Sequence, residues 1–375
     1  MAKIVYGVAG EGFGHSSRTH LIGQRLIDSG HEVMFIASEK SFKYLRQYFA
    51  NKVENITGMF LVYKNRDIRV VQTVISNISK FPSSVYNNFK LFKDYLAPFD
   101  PDLAITDFEP FTAYWASSNN IPLISIDHEH LLSNCMLDNI NNRIAKFNSS
   151  FVIKFFRIKA NAYIVLNFFE TPIIRDNTFL APPVVRQVVK EYEPALGEHI
   201  LFYSTDNSNL DKLINIFNKF PNYQFVIYGF NKNLTQSNCI FKKTSTKNFI
   251  ADLASARAVI ATAGFSLLSE CLFFRKKMLL LPLLGQYEQL VNAHYIKKLN
   301  LGSSSYKLDE QVLGNFLNNI DDNVITDERV LRPDNDRFFE ILESVLNKTG
   351  FSINAKSCLL NKTEKPDIID EKIFA

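Results

Sequence analysis

The chain has 375 residues and a mass of 43.0 kDa, which exceeds the usual size of one compact core and predicts two domains. Hydrophobic residues make up 46% and charged residues 21%, and these fractions exclude a disordered or collagen-like chain. The 42 basic and 38 acidic residues leave a net charge of +4 without any Lys/Arg block, so no nucleic acid partner is expected.

Membrane-spanning and disulfide-rich classes are also disfavoured. The longest apolar run, residues 278–284, has seven residues and contains Pro282, whereas a membrane-spanning helix needs ~18. The first residues are interpreted as a strand rather than a signal peptide, because Glu11 and glycines follow the apolar run. The four cysteines are scattered, which predicts neither a zinc site nor a disulfide framework and favours a cytoplasmic location.

Short apolar runs alternate with helical patterns along the first half of the chain. Each run is apolar at successive positions, as in strands of a parallel sheet that helices cover on both faces. A helix is predicted at residues 17–29, closed by Gly30. The predicted strands are residues 3–9, 31–37, 102–106, 122–127 and 162–166.

A proline-punctuated stretch follows Thr171, and the predicted linker covers residues 181–198, with Pro182 and Pro183 as its expected hinge. A second series of strands then begins, at residues 199–204, 224–229, 256–264 and 277–283. The fold class is therefore α/β, with two facing doubly wound Rossmann-like domains. The predicted bounds are 1–180 and 199–347, with a loose tail at 348–375.

The loop after the first strand, GEGFGHSSR, is the first candidate site, because ligands of such sheets bind beyond the carboxyl ends of the strands. Gly12 and Gly14 permit a tight turn and close approach to a ligand. His15 lies at the start of the predicted helix and suits a general base that deprotonates a hydroxyl nucleophile. The alternatives are a histidine that caps the helix and, from the loose glycine spacing, a dinucleotide site.

Asp107 directly follows the predicted strand 102–106, at the same edge of the sheet as His15. Its carboxylate is suited to orient His15 and stabilise the imidazolium, as in a His–Asp pair. Alternatively, Asp107 caps the helix that begins near Pro110. The run Asp127-His128-Glu129-His130 suggests a metal by composition, but no third partner is identifiable, so a polar loop facing the acceptor is preferred and no metal is expected.

Residues 261–293 carry the densest pattern: a strand, a glycine turn, a helix, a strand that ends at a proline, and a loop that opens another helix. The turn at Gly264, Phe265 and Ser266 presents amides at a helix N-terminus, which suits a diphosphate. Glu270 on the following helix is placed to accept both hydroxyls of a ribose. Glu288 and Gln289, on the next loop, are placed to bind the hydroxyls of a sugar.

This segment resembles the nucleotide-sugar signature of GT-B glycosyltransferases, which include plant and antibiotic UDP-glycosyltransferases and the peptidoglycan N-acetylglucosaminyl transferase. The signature consists of a glycine turn, a glutamate, a proline, an acidic–Gln pair and Asn-Ala. These stand here as Gly264, Glu270, Pro282, Glu288-Gln289 and Asn292-Ala293. The GFGH turn resembles the family's Gly-His turn, and ITDFEPF is similar to the loop that supplies its aspartate.

The resemblance implies a GT-B fold and transfer of a sugar from a nucleotide-diphosphate sugar, with UDP the expected nucleotide, to an unidentified hydroxyl acceptor. His15 is implied as the base and Asp107 as its partner, with inversion at the anomeric carbon and neither metal nor cofactor. Two alternatives stay open: a nucleotide-sugar epimerase of the same fold, and a non-catalytic subunit that binds nucleotide sugars.

Residues 143–160 predict a basic amphipathic helix in which aromatic and aliphatic residues recur at three- and four-residue steps. Lysine and arginine surround this stripe, a pattern typical of helices that lie on anionic membranes. One interpretation is therefore peripheral contact with the inner face of a membrane and a lipid-linked acceptor. The alternative is an ordinary helix that packs on the core with a solvated basic edge.

Overall fold

Two seven-stranded sheets organise the computed structural model, which describes residues 1–10, 12–58, 63–64, 67–68, 86–140, 142, 145–146, 159–204, 210–243, 245–320 and 328–350. Within these residues, the first half contributes the strands β1 (Lys3–Val8), β2 (Glu32–Ala37), β3 (Val53–Asn55), β4 (Tyr63–Lys64), β5 (Asp67–Ile68), β6 (Leu103–Asp107), β7 (Leu123–Asp127), β8 (Ala162–Leu166) and β9 (Thr178–Ala181). The second half contributes β10 (His199–Tyr203), β11 (Gln224–Tyr228), β12 (Leu234–Gln236), β13 (Cys239–Phe241), β14 (Ala258–Ala261), β15 (Lys277–Leu280) and β16 (Gly302–Ser304).

Helices connect these strands. They are α1 (Phe13–Asp28), α2 (Glu39–Phe49), α3 (Ala97–Phe99), α4 (Pro110–Ser118), α5 (Leu131–Asn134), α6 (Leu210–Phe217), α7 (Thr246–Ser255), α8 (Phe265–Phe273), α9 (Tyr287–Lys298), α10 (Glu310–Asn318) and α11 (Asn335–Lys348). Short 3₁₀ turns occur at Ala50–Lys52 and Gln187–Glu191, and a π-helical turn occurs at Phe92–Leu96.

The first sheet has the strand order β3-β2-β1-β6-β7-β8-β9, and all of its pairs are parallel. The second sheet has the order β12-β13-β11-β10-β14-β15-β16, parallel except at β12. In each sheet the chain first adds strands on one side of the first strand and then continues on the other side. The switch leaves a crevice between β1 and β6 in the first sheet and between β10 and β14 in the second. The predicted α/β class with two doubly wound sheets is confirmed.

Strand burial explains why these segments were recognisable in the sequence. Every residue of β6, β7 and β8 is buried, and most of these residues are apolar on both faces, as in helix-covered parallel strands. The register pairs Val8 with Asp107, and the Ala9 amide donates to the Asp107 carbonyl at 3.1 Å. The loops that follow β1 and β6 therefore start side by side.

Two boundaries differ from the sequence expectations. Strand β9 extends the first sheet to Ala181, inside the proline-punctuated stretch. Helix α11 follows the second half in sequence but packs on the first, where the Arg25 guanidinium lies 5.3 Å from the Phe339 ring and 3.6 Å from Glu343. The Asn335 side chain bonds the backbone of Val185 in both directions, so α11 also braces the linker.

Two sequence expectations lie largely outside the described residues. Of the predicted helix 143–160, the structure describes only Ala145, Lys146, Lys159 and Ala160, and of the predicted tail it describes residues up to 350. Within the described ranges, none of the helices combines the length and apolar character that crossing a bilayer requires.

Candidate active site

His15 and Asp107 meet at the carboxyl edge of the first sheet. Gly12 takes a φ of 78°, which favours glycine, and starts α1 at Phe13, so His15 lies in the first helical turn instead of before the helix. Asp107 is the last residue of β6, and its side chain is fully buried. The Nδ1 of His15 lies 2.7 Å from Asp107 Oδ1, so this ring nitrogen donates its hydrogen to the carboxylate.

Arg18 holds the same carboxylate from the next turn of α1. Its Nε donates to Asp107 Oδ2 at 2.8 Å and its Nη2 donates to Oδ1 at 2.6 Å, a bidentate pair. The guanidinium is 7% exposed, so this pair lies away from solvent. Asp107 is thereby fixed by its contacts with both His15 and Arg18.

The two capping alternatives are wrong. The structure shows no side-chain hydrogen bond at the N-cap of α1, and His15 contacts Asp107 instead. The N-cap of α4 is Glu109, whose carboxylate accepts from the Phe111 and Thr112 amides at 2.9 and 2.7 Å. Because Glu109 supplies the cap, the Asp107 carboxylate is left to contact α1.

The surroundings of His15 favour its protonated form. Burial alone would lower the pKa of the imidazole, but the negative charges of Asp107 and Glu129 and the hydrogen bond to Asp107 outweigh burial and raise this pKa to about 9. Arg18 opposes that rise through its positive charge. A histidine with this pKa must lose its proton before it can act as a base.

Glu129 follows β7 and contacts the other nitrogen of the ring. Its Oε1 lies 3.4 Å from His15 Nε2, and its Oε2 accepts from the His128 amide at 3.1 Å. His15, Asp107 and Glu129 each offer a ligand atom within 4.8 Å of the others, which is a spacing that a metal ion uses. However, the Arg18 guanidinium contacts both Asp107 oxygens and places a fixed positive charge where a cation would bind.

The remaining residues of the Asp127–His130 run brace the fold. Burial would raise the pKa of Asp127, but the positive charge of His130 and hydrogen bonds from His130 and Ser125 lower it to about 2. His130 Nδ1 lies 2.7 Å from Asp127 Oδ2. His128 contacts both halves of the molecule: its Nδ1 lies 2.7 Å from the Leu166 carbonyl of β8, and its Nε2 faces α9 of the second half.

The donor turn predicted at Gly264 lies across the cleft from this cluster. Gly264 is the N-cap of α8, so the amides of Phe265 and Ser266 lie in the first turn of the helix. The Phe265 ring stacks on His128, with ring centroids 3.8 Å apart and an angle of 15°. Gly14 lies so close to Ser266 that a Cβ at Gly14 would overlap the serine hydroxyl.

Glu270 has a charged partner from a distant part of the chain. Arg186, in the linker, donates from Nε at 2.8 Å and from Nη2 at 2.7 Å, and both hydrogen bonds go to Glu270 Oε1. The two residues line a small cavity between the halves. Its other walls come from Gly14, Ser17, Arg18, Leu21, Val184, Val185, Phe265, Ser266 and Ser269.

The placement of Glu288 and Gln289 on a loop is wrong, because both lie in the first turn of α9. Gln289 Oε1 accepts from the amides of Ala263 and Leu283 at 3.3 and 3.1 Å, so this side chain holds the donor turn in shape. Burial raises the pKa of Glu288, with a further rise from Glu129 and an opposing effect of His128. Glu288 Oε1 lies 3.9 Å from His128 Nε2.

Asn292 ties the donor turn to the first sheet. Its Nδ2 donates to the Ala263 carbonyl at 3.0 Å, and its Oδ1 lies 3.0 Å from His128 Nε2. The structure thus brings together His15, Asp107 and the α8 N-terminus. Arg18 was recognisable from its position three residues after His15 on one helix face, whereas nothing local marked Arg186 as a partner of Glu270.

Comparisons with known proteins identify the family and the fold of the chain. The model of glycosyl transferase family 1 matches residues 2–321. An uncharacterized glycosyltransferase of Methanosarcina acetivorans is 24% identical over 342 residues, covering 83% of this chain and 88% of the relative.

Solved structures share the fold at low sequence identity. The glycotransferase of kitacinnamycin superposes with a TM-score of 0.63 at 14% identity, covering 94% of this chain and 96% of the other. LpCGTa in complex with UDP gives a TM-score of 0.58 at 10% identity, with 95% and 96% covered. Because the family model spans most of the residues that form both sheets, the chain belongs to glycosyl transferase family 1 and is a glycosyltransferase of the GT-B fold.

Proposed function

We propose that this glycosyltransferase moves a sugar from a UDP-sugar to an acceptor hydroxyl, with inversion at the anomeric carbon and without a metal. The observation that carries the proposal is the position of His15, bound to Asp107, directly across a narrow cleft from the N-terminus of α8. A base and an anion-binding helix end then face one reacting centre from opposite sides.

The donor binds along the second half of this cleft. The diphosphate lies at the amides of Phe265 and Ser266, where the dipole of α8 favours negative charge and stabilises the leaving group. Arg186 occupies Glu270 Oε1, so the ribose hydroxyls bind Oε2 of the same carboxylate. A UDP complex of the structural neighbour LpCGTa supports the choice of nucleotide.

The transfer step uses His15 as the base. The acceptor oxygen attacks the anomeric carbon opposite the diphosphate, the carbon–oxygen bond to the diphosphate breaks, and the acceptor proton passes to His15 Nε2. Asp107 keeps the ring oriented and stabilises the imidazolium that forms, while Arg18 keeps Asp107 in place. Attack from the face opposite the leaving group inverts the anomeric configuration.

The contacts of Arg18 are the reason for proposing a transfer step without a metal. The donor set of His15, Asp107 and Glu129 is compatible with a cation by spacing, but the guanidinium already neutralises Asp107 at 2.6 and 2.8 Å. Turnover that survives a strong chelator supports this part of the proposal. Turnover that the chelator abolishes and that Mg²⁺ restores would contradict it.

Peripheral contact with a membrane and a lipid-linked acceptor remain part of the proposal on sequence grounds alone, through the basic and aromatic residues of 143–160. Flotation with anionic and with neutral vesicles tests this part. Binding to anionic vesicles alone, weakened by salt and by Lys154→Glu with Arg157→Glu, supports it. The absence of binding to either vesicle favours an acceptor in solution.

The proposed activity is tested by a thermal-shift screen of nucleotide sugars followed by product analysis. A tight donor raises the melting temperature in proportion to RT ln(1 + [L]/Kd). We expect UDP-sugars to stabilise the protein, and the Glu270→Ala variant to lose roughly 1.5–3 kcal/mol of UDP binding. Conversion of a UDP-sugar into its epimer without an acceptor would show an epimerase instead of a transferase.

A further inference from the structure

The His15 ring lies between two carboxylates, and the second of them has no role in the mechanism above. Asp107 contacts Nδ1 at 2.7 Å, and Glu129 Oε1 stands 3.4 Å from Nε2, the nitrogen that receives the acceptor proton. The Glu129 carboxylate is held by its own loop, because Oε2 accepts from the His128 amide. These contacts hold the Glu129 carboxylate in a defined position beside His15.

When His15 loses its proton to become the base, Nε2 and Glu129 Oε1 both become hydrogen-bond acceptors that face the same space. A single hydroxyl has one proton and can satisfy only one of them. A partly buried carboxylate oxygen that is left without a donor is costly. The two side chains are 16% and 18% exposed, so a substrate can reach both from the cleft mouth.

Two neighbouring hydroxyls of one substrate can supply one hydrogen bond to His15 Nε2 and one to Glu129 Oε1. The oxygens of a vicinal diol stand roughly one hydrogen-bond length apart, which matches the 3.4 Å between Nε2 and Oε1. Glu288, at the start of α9, faces Glu129 from the second half and lies close enough for the two carboxyl groups to interact, so acidic side chains border this part of the cleft. A phosphate or carboxylate next to the reacting hydroxyl is disfavoured there.

We propose that Glu129 binds the acceptor and that the acceptor is a polyol with vicinal hydroxyls, such as a sugar unit. One hydroxyl gives its proton to His15 Nε2 and attacks the donor, while its neighbour donates to Glu129 Oε1 and keeps its proton. This inference rests on the proposed function and adds the substrate class to it.

The test is a double comparison of enzyme variant and acceptor. Wild type, Glu129→Ala and Glu129→Gln are assayed with a methyl glucoside and its three single-deoxy analogues at positions 2, 3 and 4, using the UDP-sugar found in the donor screen. The pH is set about one unit above the pKa of His15, so that loss of the Glu129 charge does not change the fraction of base. Glu32→Ala, an exposed glutamate on β2, is the matched control.

We expect removal of one neighbouring hydroxyl to cost wild type about tenfold in kcat/KM, the value of one hydrogen bond to a charged group. In Glu129→Ala this cost falls to about twofold or less, because the partner is gone. Glu129→Gln keeps the shape and an amide oxygen and retains part of the preference. Hydrolysis of the donor alone is measured in every variant, so that a general loss of activity can be divided out and only the ratio between each deoxy analogue and the parent glucoside is compared.

The inference is overturned if wild type uses all analogues equally, if Glu129→Ala keeps the wild-type preference, or if wild type hydrolyses the donor but uses none of the glucosides. A failure of the proposed function has a different signature: wild type then neither hydrolyses nor transfers from any nucleotide sugar.

Discussion

At the scale of single residues, the site depends on the groups that balance the negative charge of one buried carboxylate, Asp107. Asp107 has no exposure, and a buried charge is tolerated only when it is paired and hydrogen-bonded. His15 and Arg18 supply three contacts to its two oxygens, at 2.7, 2.8 and 2.6 Å. In the proposed mechanism the same contacts orient the His15 ring, so stability and activity depend on the same residues.

Asp107→Asn is expected to damage both properties. The amide cannot balance the Arg18 charge, and removing one partner of a buried pair costs about 3–5 kcal/mol. The His15 ring also loses the acceptor that fixes its tautomer, so kcat falls by about 10²–10⁴-fold. Urea unfolding and steady-state kinetics measure the two effects. The control is Asp102→Asn, at an exposed position directly before β6. A near-normal kcat would remove Asp107 from the mechanism.

The pH dependence follows from the raised pKa of His15. Because the base form is needed, kcat/KM should rise about tenfold per pH unit and level off above a pKa of about 9. The free energy of unfolding changes in the opposite direction, because the folded state holds the His15 proton more tightly than the unfolded state does. The stabilisation by protonated His15 is complete below pH ~6.5 and is lost as pH rises through about 9. A rate profile that levels off near pH ~6.5 would show an unperturbed histidine.

At the scale of elements, α9 links the turn at Gly264 to the first sheet. Its first turn braces the donor turn through Gln289, and Asn292 joins Ala263 to His128. Further along, Tyr295 stacks on Phe169 with ring centroids 3.6 Å apart. One helix therefore contacts the donor turn and the first sheet together.

Asn292→Ala tests this role of α9. The change leaves the Ala263 carbonyl and the His128 ring without their partner, so we expect a loss of about 1–3 kcal/mol in unfolding free energy and weaker UDP binding. Asn315→Ala, at an exposed position on α10, is the control and should change neither quantity. Equal behaviour of the two variants would mean that the Asn292 bonds contribute nothing.

Strands with two buried faces were predictable, and β8 was predicted at its observed bounds. Strand β9 was missed, because it has four residues and prolines follow it directly. The start of α1 was placed too late, since glycine is a poor helix former and GFGH resembles a loop. The partners of Glu270 and Glu129 come from distant parts of the chain, and local sequence carries no signal for such contacts.

At the scale of the whole molecule, the structure shows the two halves in direct contact at the site. The larger apolar core runs from the first sheet through one face of the second, so the halves share buried surface. Gly14 contacts Ser266, and Phe265 contacts His128. We infer that donor and acceptor are aligned when the two halves are closed on each other in this way.

Gly14→Val tests this closure. Even a Cβ at this position overlaps the Ser266 hydroxyl, and a branched side chain prevents close approach of the halves. We expect turnover to fall by about tenfold or more, while UDP still binds the second half, because only the closed arrangement aligns the reactants. Adding Ser266→Gly should restore part of the turnover, and Ser266→Gly alone is the control. Full activity of Gly14→Val would show that this contact is not needed.

The central claim, that His15 is the base of sugar transfer, is tested most directly by comparing turnover and UDP affinity in His15→Ala. The account predicts a loss of about 10²–10⁴-fold in kcat with a UDP dissociation constant within about threefold of wild type, because His15 acts on the acceptor and not on the nucleotide. Turnover within a few-fold of wild type in a folded His15→Ala protein would contradict the account and assign the chemistry to another group.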